Sequence, residues 1–402
     1  MEKTPEPGAH LSLPIRVRAA SHLAWRRSRR SSHNPGAPPS SALPDERATT
    51  RTSNRERETR PGSGVSYIMP IYNEVDYVEA AVSSILAQEY AGPVELVLAL
   101  APSTDGTDEV VHRLAADDER ITVVDNPGMH IPIGLNRAIA VARHPVVIRV
   151  DAHTQLEPGY TERGVAELHR MKADNLGGIM VATGRPGFQA AVARAYNSSL
   201  GLGGASYHVG HAEPGPAESA YLGIMRTSAI RSIGGFDESL RRGEDWEMNF
   251  RLRKSGHLVW LDPGLRVTYW PRDTWNKLAR QFLSTGIWRG ELTRRLGAKN
   301  PLRFFAPPAL VINLVVALIV ALLQVTGVLS GTLGWIATLV HLGPLAYVGA
   351  LTVAAVTATG SLLDRLRYVV VLATMHICWG AGFIVGTLRG GGDSVDTSRV
   401  DT

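Results

Sequence analysis

From residue 306 to residue 388 charged side chains nearly vanish, and the apolar runs there are long enough to cross a bilayer. Any fold for this chain must join that stretch to the charge-rich sequence before it. Three runs stand out, at 309–329, 333–357 and 368–388, and Gly343-Pro344 is expected to kink the second. Arg294, Arg295, Lys299 and Arg303 precede the first run, and Arg365 and Arg367 separate the second from the third. The loop between the first two has no Lys or Arg, so the positive-inside rule puts the large N-terminal part in the cytoplasm. With three spans the tail after Gly390 would lie outside, against the mild pull of Arg389 and Arg399. The expectation is a multi-pass protein of the plasma membrane. Just before the spans, Trp275, Leu278, Phe282 and Trp288 recur at helical spacing among Arg280, Arg289, Arg294 and Arg295, the pattern of a helix lying in the membrane interface.

The net charge of +5 misleads, because residues 1–64 hold 12 Lys/Arg against 6 Asp/Glu and the rest of the chain sums to −1. The basicity belongs to an Arg-, Ser- and Pro-rich tail over 1–62 that reads as disordered, with no signal-peptide core. No nucleic-acid partner is expected. A single cysteine, Cys378, excludes an internal disulfide and a cysteine-built metal site.

Order begins at Val65. Apolar strands at 65–71, 94–100, 121–124 and 146–150 alternate with helices marked by Val78, Val82 and Ile85, by Val110, Val111 and Leu114, and by residues 135–142. Such alternation predicts an α/β fold with a mostly parallel sheet and helices on both faces. Open sheets of this kind bind ligands beyond the carboxyl ends of their strands. The fourth strand ends there in Asp151-Ala-His153, and in an extended chain residues two apart point to one side, so both side chains can converge on one ion. Residues 177–223 are Gly- and Ala-rich and read as a helix at 188–196 inside mobile loops, a lid or acceptor surface. Glu244 and Asp245 open a further helix, and residues 257–261 and 266–270 read as two short strands. The resulting boundaries are an α/β domain at 63–272, interface helices at 273–304, about three spans at 305–390 and a flexible tail at 391–402.

Four motifs, Met69-Pro-Ile-Tyr-Asn-Glu74, Ser103-Thr-Asp-Gly-Thr107, Asp151-Ala-His153 and Gly243-Glu-Asp245, in this order and spacing, resemble family-two glycosyltransferases with the GT-A fold. With the later Gly-Gly-Phe-Asp-Glu turn and a C-terminal anchor, the chain looks most like bacterial glucosyltransferases of succinoglycan-type exopolysaccharide assembly. The resemblance implies a nucleotide-sugar donor, a UDP-sugar first, and a divalent metal, Mn²⁺ or Mg²⁺, to neutralise the departing diphosphate. It implies that Pro70, Tyr72, Asn73, Glu74 and Ser103 serve the donor pocket and that Asp151 sits near ribose and ion. His153 would bind the ion directly, and as a softer ligand than carboxylate it suits Mn²⁺ better than Mg²⁺. Asn136 would face the diphosphate or start its helix. Asp245 would be the general base of an inverting transfer, with Glu244 positioning it or capping the helix.

Two departures matter. Leu100-Ala101-Pro102 lacks the carboxylate that meets the base in the family, which leaves the nucleotide open. The Gln-x-x-Arg-Trp of processive synthases is also missing, which favours transfer of one sugar to a lipid-linked saccharide held beside Trp275 and Trp288. Transfer directly to a polyprenyl phosphate and a non-catalytic nucleotide-binding subunit remain the alternatives.

Overall fold

A computed structural model describes residues 60–202, 213–240, 243–296 and 302–391. The expected tail at 1–62 falls almost entirely outside the described residues, as do Lys299 and residues 392–402.

Strands β1 (Val65–Ile71), β2 (Val94–Leu100), β3 (Ile121–Asp125) and β4 (Val146–Arg149) pair in parallel in the order β3-β2-β1-β4. The helices between them are α1 (Val78–Leu86), α2 (Thr107–Asp117) and α3 (Ile131–Val141). Strand alternation divides the core. Tyr67 and Met69 pack with Val78, Val82 and Ile85 of α1 on one face, and Ile68 packs with Leu135, Ala138 and Ile139 of α3 on the other. Each fully buried side chain of this size contributes roughly 1.5–3 kcal/mol.

Beyond β4 the sheet is mixed, not parallel. β8 (Tyr221–Arg226) runs antiparallel to β4 and to β6 (Asn175–Ala182), and β9 (Val259–Tyr269) runs parallel to β6. β5 (Thr154–Leu156) and the two-residue β7 (Gly215–Pro216) flank β9. Between these strands lie α4 (Tyr160–Arg170), α5 (Phe188–Tyr196), α6 (Thr227–Ser232) and α7 (Glu244–Lys254).

The glycine-rich stretch expected to be loops therefore contains two central strands, β6 and β8. Its glycines mark close approach: a Cβ on Gly178 would lie 2.0 Å from the Leu265 carbonyl oxygen. The two short strands expected after α7 are one strand. Its register on β6 jumps from Leu261 to Arg266, and Arg163 holds Asp262 in the bulge at 2.8 Å.

Helix α8 (Trp275–Leu296) leads to a 3₁₀ turn at Leu302–Phe305 and then α9 (Ala306–Val325). α10 (Gly331–Ala337) and α11 (Leu342–Thr357) are joined by a 3₁₀ turn at Thr338–His341, which puts the expected irregularity just before Gly343-Pro344. α12 (Leu362–Arg389) ends the described chain. Three stretches, Leu302–Val325, Gly331–Thr357 and Leu362–Arg389, are long and apolar enough to cross a membrane.

α8 and α12 meet through four glycines. Gly286 and Gly290 of α8 face Trp379 and Phe383, and Gly382 and Gly386 of α12 face Leu283 and Ile287. A Cβ at any of the four would fall 1.9–2.3 Å from a backbone oxygen of the other helix. Two small-xxx-small motifs thus bring the backbones together.

Candidate active site

The carboxyl ends of β1 and β4 and the start of α7 open onto one cavity of about 480 Å³. Pro70, Tyr72, Glu74, Asp151, His153, Glu244 and Asp245 all line it. Asn73 and Ser103 act one step back, tying the first two βα loops together. The Asn73 amide donates to Ser103 Oγ (3.2 Å), and the Thr104 amide donates to Asn73 Oδ1 (2.9 Å). Asn73 holds a left-handed φ of 51°, a conformation that asparagine tolerates better than most residues. Asn136 is elsewhere. Its Nδ2 donates to the Phe236 carbonyl and its Oδ1 accepts from the Phe236 amide, which fastens the Gly-Gly-Phe-Asp-Glu turn to α3.

Asp151 and His153 do not sit on an extended strand. The Thr154 amide donates to the Asp151 carbonyl at 3.0 Å, so the two residues lie in a turn between β4 and β5. Asp151 instead meets Arg149, the last residue of β4, whose Nε donates to Asp151 Oδ1 at 2.9 Å. Arg149 was hidden in the sequence as the last residue of an apolar strand. Its guanidinium also donates to Glu244 Oε1 at 3.1 Å and makes a close contact with Asp245 Oδ1. One buried cation thus joins the acids at the end of β4 to those at the start of α7. Burial alone would weaken the Arg149 cation, but the Asp151, Asp245 and Glu244 carboxylates outweigh it and hold the guanidinium protonated.

α7 begins at Gly243, where a φ of 74° turns the chain so that Glu244 and Asp245 enter the first helical turn. Asp245 lines the cavity with 34% of its side chain exposed. Burial pushes its carboxyl up to about 7; the Arg149 cation pulls it down, and the Glu244 and Asp151 charges add to the rise. A carboxylate titrating near neutrality is suited to general-base work.

Among the described residues, no group of three or more His, Cys, Asp or Glu side chains forms a metal cage. Asp151 and His153 nevertheless line the same cavity, and a carboxylate steadies the imidazole. His153 Nδ1 lies 3.0 Å from Glu74 Oε1, and a carboxylate on that nitrogen is the usual means of orienting an imidazole that ligates through Nε2. The Tyr269 ring meets the imidazole edge-on at 5.4 Å, Tyr196 stacks on Tyr269, and the Tyr196 hydroxyl lies 3.0 Å from Gln281 on α8. A carboxylate and an imidazole lining one cavity are a donor set whose chemistry suits a divalent ion.

The far end of the cavity is made by helices of the apolar region: Phe304, Pro307, Met375, His376 and Trp379 line it together with Gln281 and Thr285 of α8. Of the two tryptophans expected beside an acceptor, Trp288 is buried against Leu240 and Leu292, and Trp275 donates to Thr374 Oγ1 at 2.9 Å.

The sequence signature of Glycosyl transferase family 2 matches residues 66–216. Succinoglycan biosynthesis protein ExoA of Rhizobium meliloti (strain 1021) is 33% identical over 327 residues, 79% of this chain and 92% of that protein. The chain belongs to glycosyl transferase family 2. It is a glycosyltransferase, and its mixed sheet is that of the GT-A fold. A second relative is the dolichyl N-acetyl-alpha-D-glucosaminyl phosphate 3-beta-D-2,3-diacetamido-2,3-dideoxy-beta-D-glucuronosyltransferase of Methanococcus voltae. It is 25% identical over 241 residues, 58% of this chain and 74% of that protein. The solved mannosyltransferase PcManGT of Pyrobaculum calidifontis, in complex with GDP-Man and Mn2+, superposes with a TM-score of 0.49. It shares 17% identity and covers 85% of this chain and 94% of its own, a likeness too distant to assign a ligand.

Proposed function

We propose that this glycosyltransferase is anchored in the plasma membrane with its catalytic domain in the cytoplasm. There it moves one sugar, with inversion, from a nucleotide-sugar donor to a lipid-linked saccharide used in cell-surface polysaccharide assembly. The observation that carries the reading is the shared cavity: Asp151 and Asp245 line the same space as Pro307, Met375 and Trp379 of the apolar helices. A saccharide attached to a membrane lipid can reach Asp245 along that wall without leaving the bilayer surface. The dolichyl-linked substrate in the second relative's name supports a lipid-linked acceptor, and the first relative's name, succinoglycan biosynthesis, supports polysaccharide assembly.

The donor end is formed by Pro70 and Tyr72, with Asn73 and Ser103 bracing the loop beneath them. Asp151 and His153 would hold a divalent ion, which would neutralise the diphosphate charge as the leaving group departs. Asp245 takes the proton from the acceptor hydroxyl as that oxygen attacks the anomeric carbon from the face opposite the nucleotide. Glu244 and Arg149 hold Asp245 in place.

The test is a panel of nucleotide sugars with Mn²⁺ or Mg²⁺ and lipid-linked oligosaccharides extracted from membranes. Transfer to a lipid-linked saccharide from one donor, with Mn²⁺ at least as effective as Mg²⁺, is the expected result. Transfer to a soluble sugar alone, or turnover unaffected by a chelator, would overturn it.

A further inference from the structure

α12 has the length and hydropathy of a span, yet much more of it is buried against the rest of the protein than of the other two apolar segments. It is a 28-residue helix, about 42 Å long at 1.5 Å per residue. One face is occupied by the catalytic domain along nearly all of that length. Near its start, Arg194 of α5 donates to the Thr359 carbonyl at 2.5 Å and lies over the Tyr368 ring. Tyr368, Val371, Leu372 and Met375 then pack in one cluster with residues of α5 and β6. Trp275 bonds Thr374, the four glycines carry the contact with α8 onward to Gly386, and Arg294 lies against Gly390.

α8 itself belongs to the catalytic domain. Trp288 and Leu292 are buried with Leu240 beside Trp246, which directly follows Asp245. α8 also carries Lys277, Arg280, Arg289, Glu291, Arg294 and Arg295. If α12 crossed the hydrocarbon layer, about 30 Å thick, α8 and the domain face behind it would have to enter with it. Each of those charges would then be placed in hydrocarbon, which strongly disfavours crossing.

Besides the domain, α12 meets the other apolar helices at Gly380, which faces Pro307 and Val311 of α9, and at His376, whose Nδ1 lies 3.0 Å from the Tyr347 hydroxyl of α11. Its remaining face is exposed and apolar. Leu363, Leu366, Val370, Ile377, Val385 and Leu388 are all exposed, and at 3.6 residues per turn they fall within an arc of about 100°. The other two apolar segments differ in kind: 11% and 6% of their apolar windows are buried, against 44% for α12.

We infer that α12 lies along the membrane surface beneath the catalytic domain, with its apolar stripe in the lipid, and that the chain crosses the bilayer only twice. The crossing is the hairpin of α9 with α10 and α11, which leaves from the same side of the domain, since Pro307 packs on Gly380 of α12. The occupant of the stripe is the acyl layer of the leaflet into which the hairpin inserts. Arg389 and Arg399 then join Arg365 and Arg367 on the cytoplasmic side, and the conflict they pose for three spans disappears. The cavity end formed by Met375 and Trp379 lies at the level of the lipid headgroups. This inference rests on the membrane-anchored reading and is independent of the sugar chemistry.

The experiment is reporter fusion in a bacterial host, with the full chain. Alkaline phosphatase, active only outside the cytoplasm, is placed after Thr402 or after Gly327 in the loop between α9 and α10, and green fluorescent protein after Thr402. Expected are an inactive phosphatase and bright fluorescence at Thr402, with an active phosphatase at Gly327. Active phosphatase at Thr402 would overturn the inference in favour of three crossings. Inactive phosphatase at both sites would show that the hairpin does not insert, which sinks membrane anchoring itself. As a check free of bulky fusions, Thr402→Cys in a Cys378→Ser background should react with an impermeant maleimide only after lysis. Labelling of intact cells, with the outer barrier permeabilised, would contradict two crossings.

Discussion

Gly386→Ala is the smallest change that tests whether α8 and α12 form one unit. The added methyl would fall 1.9 Å from the Ile287 carbonyl oxygen and 2.7 Å from its carbon. Ordinary contact begins near about 3.4 Å, so the helices must part by roughly 1.5 Å at this level, and overpacking of this kind costs about 1–3 kcal/mol. The functional consequence follows from what α8 carries, because Gln281, Phe282 and Thr285 form a wall of the catalytic cavity. A misplacement of about 1 Å in groups that orient a substrate can cost on the order of 10²-fold in rate. The expected result is a lower melting temperature in detergent and at least a tenfold lower transfer rate. The control is Gly349→Ala in α11, where nothing lies within 4 Å of the new methyl. If Gly386→Ala and Gly349→Ala behaved alike in both assays, the close helix contact and everything argued from it would be wrong.

Three further outcomes follow from the charge cluster. Asp245 must be ionised to accept a proton and titrates near about 7, so transfer should rise as pH increases through that value, and the limb should vanish in Asp245→Asn. The stability effect has the opposite sign: with its folded value raised, Asp245 contributes stability that is fully present below the ordinary carboxylate range and lost as pH rises through about 7. Transfer rates and thermal unfolding of wild type and Asp245→Asn, each followed across that range, check the two signs. Arg149→Met removes the cation shared by Asp151, Glu244 and Asp245, and breaking a buried ion pair costs about 3–5 kcal/mol. It should melt well below wild type, with Arg149→Lys in between; a Met variant as stable as wild type would show that the cluster does not depend on this residue.

The parallel half of the sheet was legible because its strands and helices keep clean periods from Val65 to Val150. The antiparallel half was not. Gly177, Gly178 and Gly223 thin the apolar pattern of β6 and β8, and their reason is a close approach of chains distant in sequence, to Leu265, Tyr221 and Asn175. The acids of the site announced themselves by motif. Arg149 did not, since a cation at the end of an apolar strand becomes meaningful only when the acids of α7 are seen to meet it. Asn136 shows the reverse case, a residue that the family resemblance suggested and a local turn claims. α12 shows the limit of hydropathy, which records that a segment is apolar and omits which face the rest of the protein already covers.

Whether Asp245 is the base of an inverting transfer is decided by single-turnover transfer by Asp245→Asn, measured beside donor binding and product configuration. General-base help is worth ~10²–10⁴-fold, so the variant should lose at least about a hundredfold in rate while binding donor as wild type does, and the wild-type product should have the inverted anomer. A variant that keeps more than about a tenth of the wild-type rate, or a product that retains the donor's configuration, would contradict that role.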